Sequence, residues 1–345
     1  MENMNLGQLT EELFQGFAVD SNAMINAIRN GDILEAFKLL GDAVIDTMGQ
    51  PLEHIKEYFF ALLAVGIGAA LLKQLELFFK DSQVQKISFW IVYLILAKYL
   101  LTLYYNGEMV AKECLEKLID FGHVFIPVFS IVLTAASGSI TGVGYIATLT
   151  IIIYVIEQFL LVIMIPMVEG YMLFSLLGAL WQKERVEKLM ELLEKAISLG
   201  FKGMLVGITG FGLLQSMILP YVDHTKVGVV KNMVEMIPGV GKVAGNTLEM
   251  LGGSAVLLKN GVGVIGMLLL LLVAAVPLIK IGLIYLVMKL AAVVYGLFGE
   301  KQMTWCADKL GQAEIYMLKI TGAGLLLFLL WIVLAIYSTN QKVMF

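Results

Sequence analysis

The chain has 345 residues, 59% of them hydrophobic and 15% charged, with a net charge of −4 and a mean hydropathy of +0.86. Soluble chains run at about 45–50% apolar and about 25% charged, so the composition excludes a soluble globular domain, a disordered segment and a nucleic-acid-binding domain. Cys114 and Cys306 are the only cysteines, too few for a disulfide scaffold.

The charge is uneven. Residues 1–57 hold ten acids and three bases, and the remainder of the chain is net basic. This acidic head is expected to be water-exposed and built of two short amphipathic helices. Leu9, Leu13 and Phe17, then Met24, Ile25 and Ile28, carry helical spacing; Asn30-Gly31-Asp32 interrupts it, and Ile33, Phe37, Leu40 and Val44 resume it. Met1-Glu2-Asn3-Met4 lacks the basic and apolar regions of a secretory signal.

Beyond the head the pattern is that of a polytopic, all-α integral membrane protein. A crossing helix needs about 20 apolar residues. Runs 58–79 and 87–105 form a first transmembrane hairpin within 58–116. Further runs are 121–136, 143–181, 199–219, 261–297 and 321–337. Two of these are too long for one crossing, and Pro166 and Pro277 divide them. The expectation is about six to eight transmembrane helices, several broken at Pro or Gly. The loops 80–86 and 183–188 are slightly basic, which favours the cytoplasm.

The same order of features occurs twice, over 117–219 and 228–338. Pro127 and Pro166 are 39 residues apart, as are Pro238 and Pro277. Each pair encloses a Gly-rich stretch ending in Gly-Val-Gly, at 142–144 and 261–263. A charged amphipathic segment follows each second proline, over 183–195 and 300–319. We read an internal duplication. Repeated halves with helices broken at Gly or Pro are a common way to build a transport pathway; a duplicated bundle with no pathway is the plainer reading.

Charges within apolar spans cost about 2.5–3.5 kcal/mol each at mid-membrane. Lys73 and Glu76, three apart near a span end, are expected to pair or snorkel. The candidate pore-lining residues are Lys98, Glu157, Glu169 and Lys280. Glu169 and Lys280 each stand three residues after the dividing proline of their repeat, so they either pair or flank a polar pore at the repeat axis, or lie at a membrane surface where the chain turns. The candidate packing or hinge residues are Pro127, Pro166, Gly203, Gly207, Pro238, Gly241, Gly245 and Pro277; Gly203/Gly207 and Gly241/Gly245 have small-xxx-small spacing. The Gly-rich stretch 239–266 reads either as close helix packing or as a broken, surface-lying or re-entrant segment. Val186, Leu189, Met190, Leu193, Ala196 and Ile197 mark an amphipathic helix that lies on the bilayer or docks a partner.

No catalytic signature is present: Gly207–Gly212 is not followed by Gly-Lys-Ser/Thr, and His54, His123 and His224 lack metal-ligand spacing. No enzyme activity, cofactor or metal is expected. The lipid bilayer is the expected surrounding, nucleic acid is not an expected partner, and a homo-oligomer is compatible with the pattern.

Ile237-Pro238-Gly239-Val240-Gly241, Leu257-Leu258-Lys259-Asn260-Gly261 and Pro277-Leu278-Ile279-Lys280 resemble the stage III sporulation protein AE family. The likeness extends more loosely over 31–337, including Ile126-Pro127 and 135–144. It implies an integral protein of the mother-cell membrane surrounding the forespore. The implied setting is a secretion-like channel complex with the other stage III sporulation A proteins, including a cytosolic ATPase, and stage II sporulation protein Q. An export-gate or permease-like element is the role it suggests. A self-sufficient secondary transporter and a purely structural anchor are the competing classes.

Overall fold

The computed structural model describes residues 32–47, 49–76, 82–137, 140–180, 185–207 and 241–340, with isolated positions at 23, 26, 27, 209 and 210. Pro238, most of the first expected head helix and half of the 199–219 run lie outside the described residues. Among the described residues there are helices and no strand. They are α1 (Ile33–Thr47), α2 (Gly49–Glu76), α3 (Ser82–Ser137), α4 (Ile140–Phe159), α5 (Ile165–Leu180), α6 (185–207), α7 (Gly241–Leu297) and α8 (Lys301–Asn340). A π-helical turn, Leu160–Met164, joins α4 to α5.

Local chemistry sets several of the boundaries. Asp32 caps α1: its Oδ1 accepts the Glu35 backbone N–H at 3.1 Å, satisfying one of the donors a helix start leaves free. Between α7 and α8 the chain turns at Gly299, whose φ of 76° lies in the left-handed region. There the Glu300 N–H bonds the Tyr295 carbonyl at 3.0 Å and the Gly299 N–H bonds the Gly296 carbonyl at 3.1 Å. These are the two bonds of a glycine-closed helix end, a conformation that a side chain at 299 would strain.

The dividing prolines behave differently from each other. Pro277 lies inside α7 and does not divide it, and Pro127 lies inside α3. In a membrane-length helix, packed neighbours and small local adjustments accommodate the lost hydrogen bond. Pro166 is accommodated by the π turn immediately before it, which moves the carbonyls that its ring would strike. The glycine-rich stretch is likewise continuous helix from Gly241 onward. Two of its glycines are packing points: a side chain at Gly263 would strike Ile336, and one at Gly266 would strike the Phe125 ring.

Among the described residues, five helical stretches are long and apolar enough to cross a membrane: Leu52–Leu72, Lys86–Pro127, Thr150–Gly178, Asn260–Leu297 and Lys301–Ile336. The expected 199–219 crossing lies half outside the described residues, so these five do not test the expected count of six to eight. Outward faces of these helices are apolar, as lipid contact requires: Trp90, Ile91, Leu94 and Ile95 on α3, and Leu286, Leu290 and Val293 on α7, are all exposed.

The chain divides into two compact units. Unit 1 comprises Met1–Glu116, Leu160–Gly200 and Leu272–Ala323. Its core is tied by long-range polar bonds. Tyr295 donates to the Leu62 carbonyl at 2.9 Å, and Tyr93 to the Leu176 carbonyl at 2.7 Å. The Trp305 indole donates to Glu187 at 3.2 Å. Met303, Ala307, Leu310, Met317 and Ile320 of α8 are all buried. Val186, Met190 and Ile197 bury the inner face of α6, while Leu189, Leu192 and Leu199 are exposed.

Unit 2 comprises Lys117–Phe159, Phe201–Leu271 and Gly324–Phe345. Its core is aromatic. Phe121, Phe125 and Phe129 stack along α3 with ring centroids 5.0 and 5.2 Å apart, and Trp331 of α8 meets Phe129 at 5.9 Å. Segments 117–159 and 228–271 of the two expected repeats fall in unit 2. Segments 160–200 and 272–323 fall in unit 1.

Candidate functional site

In unit 1 one face of α3 is polar where the neighbouring helices are apolar. Tyr104, Gly107, Glu108 and Lys112 recur at helical spacing and therefore share that face. Opposite them α8 supplies Glu314 and α5 supplies Glu169. Glu314 has no exposed surface, and Tyr104 and Glu108 are also buried.

Gly107 is what admits Glu314. The Glu314 carboxyl occupies the space that a side chain at 107 would need, with Oε1 2.6 Å from where a Cβ would lie. Any other residue there would have to push the carboxyl away. One turn on, Lys112 Nζ bridges two helices: it donates to Glu108 Oε1 at 2.5 Å and to Glu169 Oε1 at 3.1 Å. Lys112 is partly open to the surface, so this bridge is a partly screened pair.

The ammonium is thus committed to Glu108 and Glu169. Both oxygens of Glu314, the second oxygen of Glu108 and the Tyr104 hydroxyl have no hydrogen-bond partner in the structure. Glu108 and Glu314 both lie within electrostatic reach of Tyr104, and Glu108 within reach of Glu314. Buried polar groups are normally satisfied, because leaving one bare costs about 1–3 kcal/mol or more. Four bare oxygens in one place, three of them carboxyl, mark a site rather than a packing accident. Beside it, the Tyr171 hydroxyl donates to Glu194 of α6 at 2.8 Å, and Lys309 reaches the same carboxylate at 3.7 Å. Among the described residues, no three His, Cys, Asp or Glu converge to hold a metal ion.

Of the residues singled out in the sequence, only Glu169 enters this site. Its ion-pair partner is Lys112 and not Lys280; Lys280 is half-buried and has no ion pair among the described residues. The expected Glu169–Lys280 bridge is therefore not made, because α3 brings a nearer cation. Glu157 is buried in unit 2, with Oε1 unpartnered. Lys98 is exposed on the apolar outer face of α3, its Nζ 5.9 Å from the Tyr99 ring. Gly203 and Gly207 have no neighbour within 4 Å of a side-chain position, and Gly241 and Gly245 lie in the first turns of α7. Pro127 and Pro166 are exposed.

Tyr104, Glu108, Lys112 and Glu314 were not singled out, because each stands in a segment that reads as an ordinary charged amphipathic helix. One signal was available for Glu314. It falls on the same helical stripe as Ala307, Leu310, Met317 and Thr321, all buried, so a carboxylate interrupts an otherwise apolar face.

No curated protein and no solved structure matches the chain. The sequence model of the family described as stage III sporulation protein AE matches residues 19–339, nearly the whole chain, and the chain belongs to that family.

Proposed function

We propose that this protein is a membrane component of the channel or secretion-like complex between mother cell and forespore, acting as an export-gate or permease-like element. Membership of the stage III sporulation protein AE family over 19–339 carries the reading. On this reading the protein sits in the mother-cell membrane around the forespore. Its partners are then the other stage III sporulation A proteins, their cytosolic ATPase and stage II sporulation protein Q. In this role the chain is not an enzyme and uses no cofactor; hydrolysis belongs to the partner ATPase.

Two physical features support a gate over an inert anchor. Buried, unpartnered carboxyls in membrane-length helices are costly, and a scaffold has no use for them. The expected repeats are also shared between the two units in the same order, which suits a duplicated pathway element.

The test is deletion of the gene in a spore-forming host, followed by microscopy and spore counts. The expected outcome is normal vegetative growth and engulfment, then forespores that shrink and stall. Normal spore yield would overturn the assignment. The buried carboxyls also fit a second reading, an autonomous ion-coupled transporter. Ion-dependent uptake by the purified protein in liposomes would favour it.

A further inference from the structure

Around Glu314 the charges do not balance. Glu108, Glu169 and Glu314 contribute three carboxyls and Lys112 one ammonium, which is engaged by the first two. Glu314 has no exposed surface and no hydrogen-bond donor on either oxygen. Across the helix contact it lies against the bare backbone of Gly107, and the unpartnered oxygens of Glu108 and Tyr104 lie within its electrostatic reach. An isolated buried charge is far too costly to persist without a counter-charge. The missing positive charge must be small, because no side chain shares the space. Every available donor atom is oxygen, which suits a hard cation rather than a soft one. Lys112 offsets Glu108, and Glu169 is partly exposed, so the buried carboxyl of Glu314 is the charge left uncompensated, and one monovalent cation balances it.

We propose that Glu314, Glu108 and the Tyr104 hydroxyl form a buried site for a monovalent cation, H+ or Na+. Gly107 makes the room, and Lys112 with Glu169 sets the electrostatic floor by holding the other oxygen of Glu108. The site couples three helices, α3, α5 and α8, so its occupancy bears on how tightly unit 1 is held. The site does not depend on the sporulation assignment.

The test uses the purified full-length protein in detergent micelles. Its melting temperature is measured with Na+ replacing choline at constant ionic strength and pH, and then across pH in choline alone. Wild type, E314Q, E108Q and E157Q are compared. A saturable Na+-dependent rise of about 2 °C or more, lost in E314Q, identifies Na+. No Na+ effect, with a pH-dependent step that E314Q lacks, identifies H+. E157Q alters the buried acid of unit 2 and is expected to keep the wild-type response. If E314Q does not fold, E108Q carries the same comparison. Wild type and variant responding identically to both ions overturns the site, as does loss of the response in E157Q.

Discussion

The two units solve the same problem with opposite chemistry. Unit 2 closes on stacked rings, Phe121, Phe125, Phe129 and Trp331, with glycines letting side chains reach the α7 backbone. Its buried carboxyl, Glu157, stands apart from any ion pair in the structure. Unit 1 closes on directional bonds: tyrosines to distant carbonyls, an indole to a carboxylate, and a lysine shared by two acids. In lipid the hydrophobic effect does little to distinguish one apolar helix face from another, so packing and buried polar contacts must specify partners. Unit 2 relies on the first and unit 1 on the second, and only unit 1 gathers several unpartnered carboxyl oxygens around one helix contact.

Substitutions can break that contrast. Trp331→Ala removes the largest fully buried side chain and is expected to cost about 3–5 kcal/mol, seen as a lower melting temperature. Cys114 and Cys306 are buried thiols that form no disulfide, and both lie in unit 1. Their native-state labelling by a thiol reagent should stay slow in this variant, since the damage lies in unit 2. Gly107→Val is expected to cost about 1–3 kcal/mol by overpacking and, unlike Trp331→Ala, to speed labelling of both thiols. Equal labelling rates in the two variants would dissolve the distinction between the units.

Smaller changes sharpen it. Gly299→Ala forces a side chain into the left-handed region and should cost about 1–2 kcal/mol, measured by denaturant titration, with Gly299→Asn losing less. Tyr93→Phe removes the hydroxyl that reaches the Leu176 carbonyl and stands 3.5 Å from Cys306 Sγ. A loss of about 0.5–1.5 kcal/mol is expected, with faster labelling of Cys306 than of Cys114. Lys98→Leu, on the outer face of α3, should change stability by less than about 0.5 kcal/mol. A large effect in the isolated protein would mean that Lys98 has a buried role.

Much of the architecture was legible because lipid constrains it so strongly. Apolar runs located the membrane helices, and the head helix at Ile33 began where Asp32 could cap it. Proline was the misleading signal. Read by soluble rules, Pro127 and Pro277 end helices, yet both are continuous, since a backbone in hydrocarbon has no water with which to satisfy an opened turn. The site was largely illegible for a different reason. Whether Glu314 is a solvated charge or a buried one depends on which helix packs over it, and no local pattern records that Gly107, more than two hundred residues earlier, leaves the room.

The π turn at Leu160–Met164 carries a consequence for insertions and deletions. Each added or removed residue rotates everything downstream on a helix by about 100°. The wide turn holds one extra residue, so it sets the phase between α4 and α5. Excising one residue there would leave composition and hydropathy almost untouched, and the run would still read as a membrane helix. Because the turn already holds the extra residue, that excision would close it to ordinary helix and keep Glu169 on Lys112 and Tyr171 on Glu194, whereas adding one residue would swing both off in a single step. Phase, more than residue identity, is what this stretch has to preserve, and a one-residue insertion should harm it more than a deletion in the turn or most point substitutions do.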